Sequence, residues 1–397
     1  MGQGLCRRSL NADIGMAYLR TTRNNFCVVR RLGIHCHAEK SVRGMQMAKP
    51  PPVIRRHSAT ALAAYHDLVS LLLDEAVSQI RGTPTPRIRG SRTYWYDRYR
   101  VGVEMKERYL GEESEELFRR IEHHETLKAD REERRRERAR LVRLLRSERF
   151  LGVDSATGSL LAAFERAGVF RLGGVLVGTT GFRIYEGELS LNLTLDQAAM
   201  TNDIDIASFE KLSLALGESV LPTIGDILHD FKFEPAPALE AGRVWRWRQT
   251  RSQTLVEFLA PSFDSEEGLR ELVALGVSAQ SLHYLNFLIA DPIPAAAVYR
   301  DGILVQLPRP ERFAIHKLIV ADRRSDGSES LKARKDRLQA DLMIAVLSED
   351  RPTDLLEAYE DAMARGPRWR ERLSRSLQQS PFAAAQLNAL RSTGGCN

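Results

Sequence analysis

Thr201-Asn202-Asp203-Ile204-Asp205-Ile206-Ala207 alternates carboxylates with apolar side chains. In an extended strand, residues two apart project to the same side. The spacing therefore aims Asp203 and Asp205 together and turns Ile204 and Ile206 toward a core. Two carboxylates held side by side repel unless a cation lies between them, and hard oxygen donors suit Mg²⁺. A plainer reading is an exposed edge strand, or a turn with helix-capping aspartates. The upstream segment argues against it. Val169 to Val177 is an apolar, β-rich run ending in Gly178-Thr179-Thr180-Gly181, and a helix through Phe182, Ile184 and Tyr185 follows. Glycine lets the backbone come close to a phosphate, and hydroxyls and N–H groups at a helix start bind its oxygens.

Downstream, Thr254-Leu255-Val256-Glu257-Phe258-Leu259-Ala260-Pro261 sets one glutamate inside an apolar strand. A lone carboxylate is costly to bury unless it is paired or bound to metal. The preceding Arg243-Val244-Trp245-Arg246-Trp247-Arg248 alternates with period two and predicts a hairpin partner for this strand. Glu257 thus has two readings, a metal ligand or the cross-strand partner of Arg246 or Arg248, and the metal role is preferred.

Gly178-Thr179, Asp203-x-Asp205 and the solitary Glu257 before Pro261 together resemble the DNA polymerase β-like nucleotidyltransferase superfamily. They are most similar to a bacterial branch of uncharacterised proteins of that fold, with a Thr-x-Asp-Ile-Asp strand and a Lys-rich helical region after it. The resemblance covers roughly residues 165–345. Thr179 departs from the usual Ser or Gly, and the interval from Gly178 to Asp203 is longer than in compact members. The resemblance implies that Asp203 and Asp205 hold two Mg²⁺ ions, with Mn²⁺ the alternative. It implies that Glu257 binds one ion and helps deprotonate an acceptor hydroxyl. Gly178, Thr179 and Thr180 would grip the triphosphate of ATP or another NTP. The reaction implied is NMP transfer to an acceptor on protein, RNA or a small molecule, with release of pyrophosphate.

Two further helices are predicted, through Arg312 to Val320 and through Lys332 to Leu342. The resemblance places a lysine in each. Lys317 would neutralise triphosphate charge. Lys335 with Asp336 is either a phosphate contact or an inter-helix brace, the brace being preferred. Arg323 to Glu329 reads as a polar loop between the two helices, and residues 352–390 read as helical packing.

The fold class expected is α+β: a small mixed sheet over residues 151–265, after a helical region at 47–150 and before a mostly helical region at 266–397. Ala59 to Ile80 and the highly charged Glu112 to Arg149 are expected to be helices. Between them, Gly82, Pro84, Pro86 and Gly90 read as a turn-rich link. Ser91 to Arg100 interleaves aromatics with arginines, as a packing segment or as a nucleic-acid contact. Residues 1–46 read as disordered or untranslated, with Met45 or Met47 as the start and an organelle-targeting peptide as the second reading. Pro50-Pro51-Pro52 marks the boundary.

The 397 residues carry a net charge of +6 and a pI near 9.2, which accommodates a nucleotide or nucleic-acid partner. No run approaches the roughly 20 apolar residues that span a bilayer, so a membrane partner is not expected. Cys6, Cys27, Cys36 and Cys396 form no Cys-x-x-Cys pair, which fits a reducing, cytoplasmic setting. His35 and Cys36-His37 lack a second half at metal-site spacing. Two other functions stay open: an antitoxin-like nucleotidyltransferase of a toxin–antitoxin or defence pair, and a non-catalytic member that binds nucleotide or nucleic acid.

Overall fold

The computed structural model describes residues 54–77, 80, 82–101, 104–193, 203–209, 219–236, 243–250, 254–325 and 329–394. The readings of residues 1–46 with their three cysteines, of the Pro50–Pro52 boundary, of Thr201-Asn202 and of Cys396 lie outside the described residues.

The described chain begins with α1 (Ala59–Val77). Three strands follow, β1 (Thr83–Arg89), β2 (Arg92–Val101) and β3 (Glu104–Glu112), as an antiparallel sheet in that order. Pro84 and Pro86 sit on its edge strand, where a missing N–H breaks no ladder on the outer side. Next comes α2 (Glu115–Ala129), started by Ser114, whose side chain accepts from the Leu117 amide at 3.2 Å. Trp95 of β2 packs edge-on to Phe118 of α2 at 5.7 Å, beside buried Ile80, Leu117 and Ile121. The third helix, α3 (Arg131–Ser147), lays Leu141, Val142 and Leu145 against Leu68 and Leu72 of α1. The expectation of a helical region over 47–150 is therefore corrected: a sheet stands between its helices. Its glycines and prolines resemble turn chemistry, and an edge strand tolerates them.

Asp154 caps α4 (Ser155–Ala167) by accepting from the amides of Ala156 and Thr157, and Gly168 closes it in the left-handed region. A seven-stranded mixed sheet then builds up from β4 (Gly174–Val177), β5 (Ile204–Ser208), β6 (Phe233–Pro235), β7 (Arg246–Gln249), β8 (Leu255–Pro261), β9 (Leu269–Leu272) and β10 (Val277–Leu282). Between β4 and β5 lies α5 (Gly178–Glu188), and before β6 lies α6 (Ile224–Asp230). The strand order is β4-β5-β8-β10-β9, with β6 and β7 joined to β8. β5 runs parallel to β8 along one edge. The other edge is divided between β7, opposite residues 255–257, and β10, opposite residues 259–261. β8 is thus the central strand, and its Phe258 is fully buried against Phe164 and Trp247.

After α7 (Leu285–Leu288), β11 (Ile293–Ala297) and β12 (Ile303–Leu307) form a two-stranded hairpin. Five helices complete the chain: α8 (Pro310–Arg323), α9 (Ser330–Asp350), α10 (Pro352–Ala364), α11 (Pro367–Gln378) and α12 (Pro381–Gly394). Four of them begin at proline, which costs no hydrogen bond in a first turn. The boundary expected at residue 265 falls inside the sheet, since β9 and β10 belong to it. The architecture is α+β, and among the described residues no helix is long and apolar enough to cross a membrane.

Helices α8 and α9 are braced through Asp336, which is fully buried. Its two oxygens accept from Lys317 Nζ at 2.6 Å and from an Arg324 guanidinium nitrogen at 2.7 Å. Burial by itself would raise the Asp336 pKa. Lys317 and Arg324 outweigh that effect and hold it below the ordinary carboxylate value. A depressed pKa contributes stability above the unfolded-state value, and that stability is lost as pH falls through the folded-state value. Asp336→Asn should cost about 3 kcal/mol in denaturant unfolding at neutral pH, because it strands the Lys317 charge. The Lys317→Met/Asp336→Leu pair should recover most of that loss, and the variant should show less acid sensitivity than the wild type.

A second constraint lies where α1 crosses α5. A Cβ on Gly187 would come within 2.1 Å of the Tyr65 ring, whose hydroxyl accepts from the Ala296 amide at 3.1 Å. Gly187→Ala should destabilise the chain by about 1–3 kcal/mol through overpacking, read in the same unfolding experiment.

Candidate active site

β4 ends in a turn that only glycine can make. Gly178 has φ +68°, and a Cβ there would fall 1.9 Å from Asp205 Oδ2. The backbone at the start of α5 therefore lies directly against a carboxylate. Thr180 fixes that approach, its hydroxyl donating to the Asp203 carbonyl at 2.6 Å. The Asp203 side chain accepts from the Leu255 amide at 3.1 Å, tying the entry of β5 to the start of β8.

Sheet register supplies the rest. Asp205 stands opposite Val177 on β4 and opposite Glu257 on β8, and Glu257 stands opposite Arg246 on β7. Asp203 and Asp205 thus meet Glu257, more than fifty residues further along the chain, near one end of the sheet. Burial pushes the Asp205 carboxyl up to about 7, and the nearby Glu257 and Asp203 charges add to the rise, while Lys317 and Arg324 oppose it. Burial is the larger cause, so the Asp205 carboxylate is held in a place where its charge is poorly solvated.

Glu257 makes the cross-strand contact that the hairpin reading allowed. Arg246 Nε lies 2.6 Å from Glu257 Oε1, yet that nitrogen has no aligned hydrogen bond. The guanidinium also lies over the Trp245 ring, 4.3 Å from its centroid. The pair is a charge contact at half-buried side chains rather than a directed bond. Among the described residues no three Asp, Glu, His or Cys side chains are grouped at metal-holding positions. The carboxylates nevertheless supply only hard oxygens, and the raised Asp205 pKa marks a place where a cation would relieve repulsion.

Lys335 of α9 reaches the turn from the far side, donating to Thr179 Oγ1 at 2.9 Å. Burial lowers its pKa, and the Lys317 charge lowers it further. Lys335 and Asp336, adjacent in sequence, do different things. Asp336 is the brace, whereas Lys335 touches the Gly-Thr turn. Lys317 is buried against Asp336 and donates to it, not to that turn. Gly178, Thr179, Thr180, Asp203, Asp205, Glu257 and Lys335 are therefore brought together, and Lys317 stands behind them as a nearby charge.

Arg324 was not singled out from the sequence. It follows α8 directly, within the segment read as a polar loop, and its partner lies twelve residues on across a helix–helix packing. Nothing in the local pattern marks that contact.

A family described as Nucleotidyltransferase matches residues 155–364, from the first residue of α4 to the last of α10. A second family, described as Domain of unknown function (DUF6788), matches residues 60–120, spanning most of α1 and the three-stranded sheet. Comparison with curated proteins gives no match. Among solved structures, an antigenic nucleotidyltransferase-like protein from Paracoccidioides brasiliensis aligns with 60% of this chain and 94% of its own, at 13% identity and a TM-score of 0.33. The first of these matches takes in more than half of the chain and every residue of the site just described: the chain belongs to this nucleotidyltransferase family.

Proposed function

We propose that the chain transfers a nucleoside monophosphate from an NTP to an acceptor hydroxyl at the site formed by Gly178, Asp205 and Glu257. The observation that carries this reading is the contact of Gly178 with Asp205, flanked by Lys335 on Thr179. A glycine turn against a carboxylate, with a lysine on its threonine, is an arrangement suited to a triphosphate and a metal ion.

Asp203, Asp205 and Glu257 would hold Mg²⁺, since their donors are hard oxygens and their mutual repulsion calls for a cation. Bound there, the metal would neutralise the triphosphate and ease deprotonation of the acceptor hydroxyl. The chain's own residues would do the rest. The N–H groups at the start of α5, the Thr179 hydroxyl and Lys335 would bind phosphate oxygens, and Asp205 or Glu257 would take the hydroxyl proton. The acceptor oxygen forms a bond to the α-phosphorus as the α–β bridging bond breaks, and pyrophosphate leaves with the bonding electrons.

A second reading has a specific observation behind it. Glu257 is engaged by Arg246, and in a non-catalytic nucleotide-binding member that contact would persist. Incubation with each labelled NTP, Mg²⁺ and lysate separates the two. Transfer of label to protein, RNA or a small molecule, lost in Asp203→Ala/Asp205→Ala, supports the enzyme. Metal-dependent binding without transfer to any acceptor class supports the non-catalytic member.

The raised Asp205 pKa sets a pH dependence. Below about pH 7 the carboxyl holds a proton that a cation must displace. Apparent Mg²⁺ affinity should therefore rise about tenfold per unit up to that value and level off above it. Calorimetric titration across this range checks the slope, which Asp205→Asn should remove.

A further inference from the structure

The site does not account for a large concavity elsewhere among the described residues. A cleft of about 1470 Å³ separates α3 and the three-stranded sheet from α4 and the β11–β12 hairpin. Eight arginines line it with Glu75, Glu165 and Asp301, and of these arginines Arg98, Arg108 and Arg135 pair with Glu107, Asp97 and Glu132. Arg138 is held by Glu75 and Asp301 and serves the fold. Arg166 donates only to the backbone oxygen of Ala162, and Arg300 lies over the Tyr299 ring. Among the described residues neither these two nor Arg131 has a carboxylate at ion-pair distance, and all three are exposed. A concave, low-dielectric wall with excess positive charge focuses its field on a polyanion.

The cleft continues onto an aromatic surface through Arg98, which lines the cleft and lies two residues from Tyr96 on β2. There Tyr94 and Tyr96 gather around Tyr109 of β3, with ring centroids 6.3 and 5.5 Å away. Tyr109 is 53% exposed. The Arg87 guanidinium lies 5.1 Å from the Tyr96 ring centroid and shares Glu107 with Arg98. The opposite face of the sheet is already occupied, since Trp95 packs on α2. An exposed ring and two half-buried ones beside a basic groove match the needs of unpaired bases on a phosphate backbone. A duplex hides its base faces, and a run of acidic side chains has no ring to stack.

We infer that this cleft and the tyrosine face beside it bind single-stranded nucleic acid, with phosphates along the arginines and bases on Tyr96 and Tyr109. The inference stands independently of the transfer reaction, and its test needs neither NTP nor metal.

Fluorescence anisotropy of the full chain with labelled oligo-U and oligo-dT of about 20 nucleotides tests it, and tells RNA from DNA. Arg131→Glu/Arg166→Glu should weaken binding at least tenfold and flatten its salt dependence, because fewer counterions are released. Tyr96→Ala/Tyr109→Ala should weaken it about fivefold or more with the salt slope kept, since stacking is largely uncharged. Tyr96→Phe/Tyr109→Phe, which keeps both rings, should bind as the wild type does and controls for disruption of the sheet. Asp205→Asn should also bind normally. Failure of the wild type to bind either oligonucleotide at low salt would overturn the inference. So would binding unchanged in both charge and ring variants, or equal displacement by duplex DNA or by poly-glutamate, the latter pointing to an acidic protein instead.

Discussion

Between Gly178 and Asp205 there is room for backbone and carboxylate only, and the arrangement of the seven-stranded sheet follows from that close approach. For the turn to sit against the carboxylate, β4 must pair with β5 so that Val177 meets Asp205, and β5 must pair with β8 so that Asp205 meets Glu257. A slip of one residue on either strand would turn the carboxylates toward the core and the isoleucines out. Ile204, Ile206, Val256 and Phe258 prevent the slip by being fully buried. The apolar side of the sheet therefore fixes the polar side, and the energy that holds the carboxylates together against their repulsion comes from burial of their neighbours.

The parts of the site legible in the sequence were those governed by strand alternation and local turns. Asp203, Asp205 and Glu257 announce themselves as acids inside apolar strands, and Gly178 as the end of one. The Arg246–Glu257 contact was legible as one of two readings because both strands alternate and follow each other. Contacts that depend on packing of distant helices were not legible in that way: Thr179 and Lys335 are 156 residues apart, and no periodicity links them. The three-stranded sheet was hidden for a different reason. Its first strand carries Pro84 and Pro86, residues that elsewhere end a strand and here lie on an edge. β11 was equally silent, because Ile-Pro-Ala-Ala-Ala shows no alternation and is buried by the hairpin it forms.

The arginines show how little composition says about placement. A net charge of +6 is modest, but the cations are not spread evenly. Some are consumed as structural struts, as Arg138 is between α1 and the β11–β12 turn, and others line one cleft without matching acids. Asp203, Asp205 and Glu257, by contrast, have among the described residues one arginine at ion-pair distance, Arg246 on Glu257. A small overall charge thus conceals two regions of opposite character in one compact unit.

Lys335 and Asp336 are consecutive on α9, and this adjacency has an entropic consequence. Asp336 is locked between Lys317 and Arg324, so α9 cannot turn about its axis without breaking a buried ion pair. The base of the Lys335 side chain inherits that fixed bearing, and its ammonium already rests on Thr179. A long, rotamer-rich side chain is ordinarily immobilised when its ligand arrives, at a cost of about 0.5–1.5 kcal/mol. Here most of that ordering is completed during folding, so under the proposed reading a phosphate oxygen would replace the Thr179 hydroxyl as the partner of an ammonium already in place.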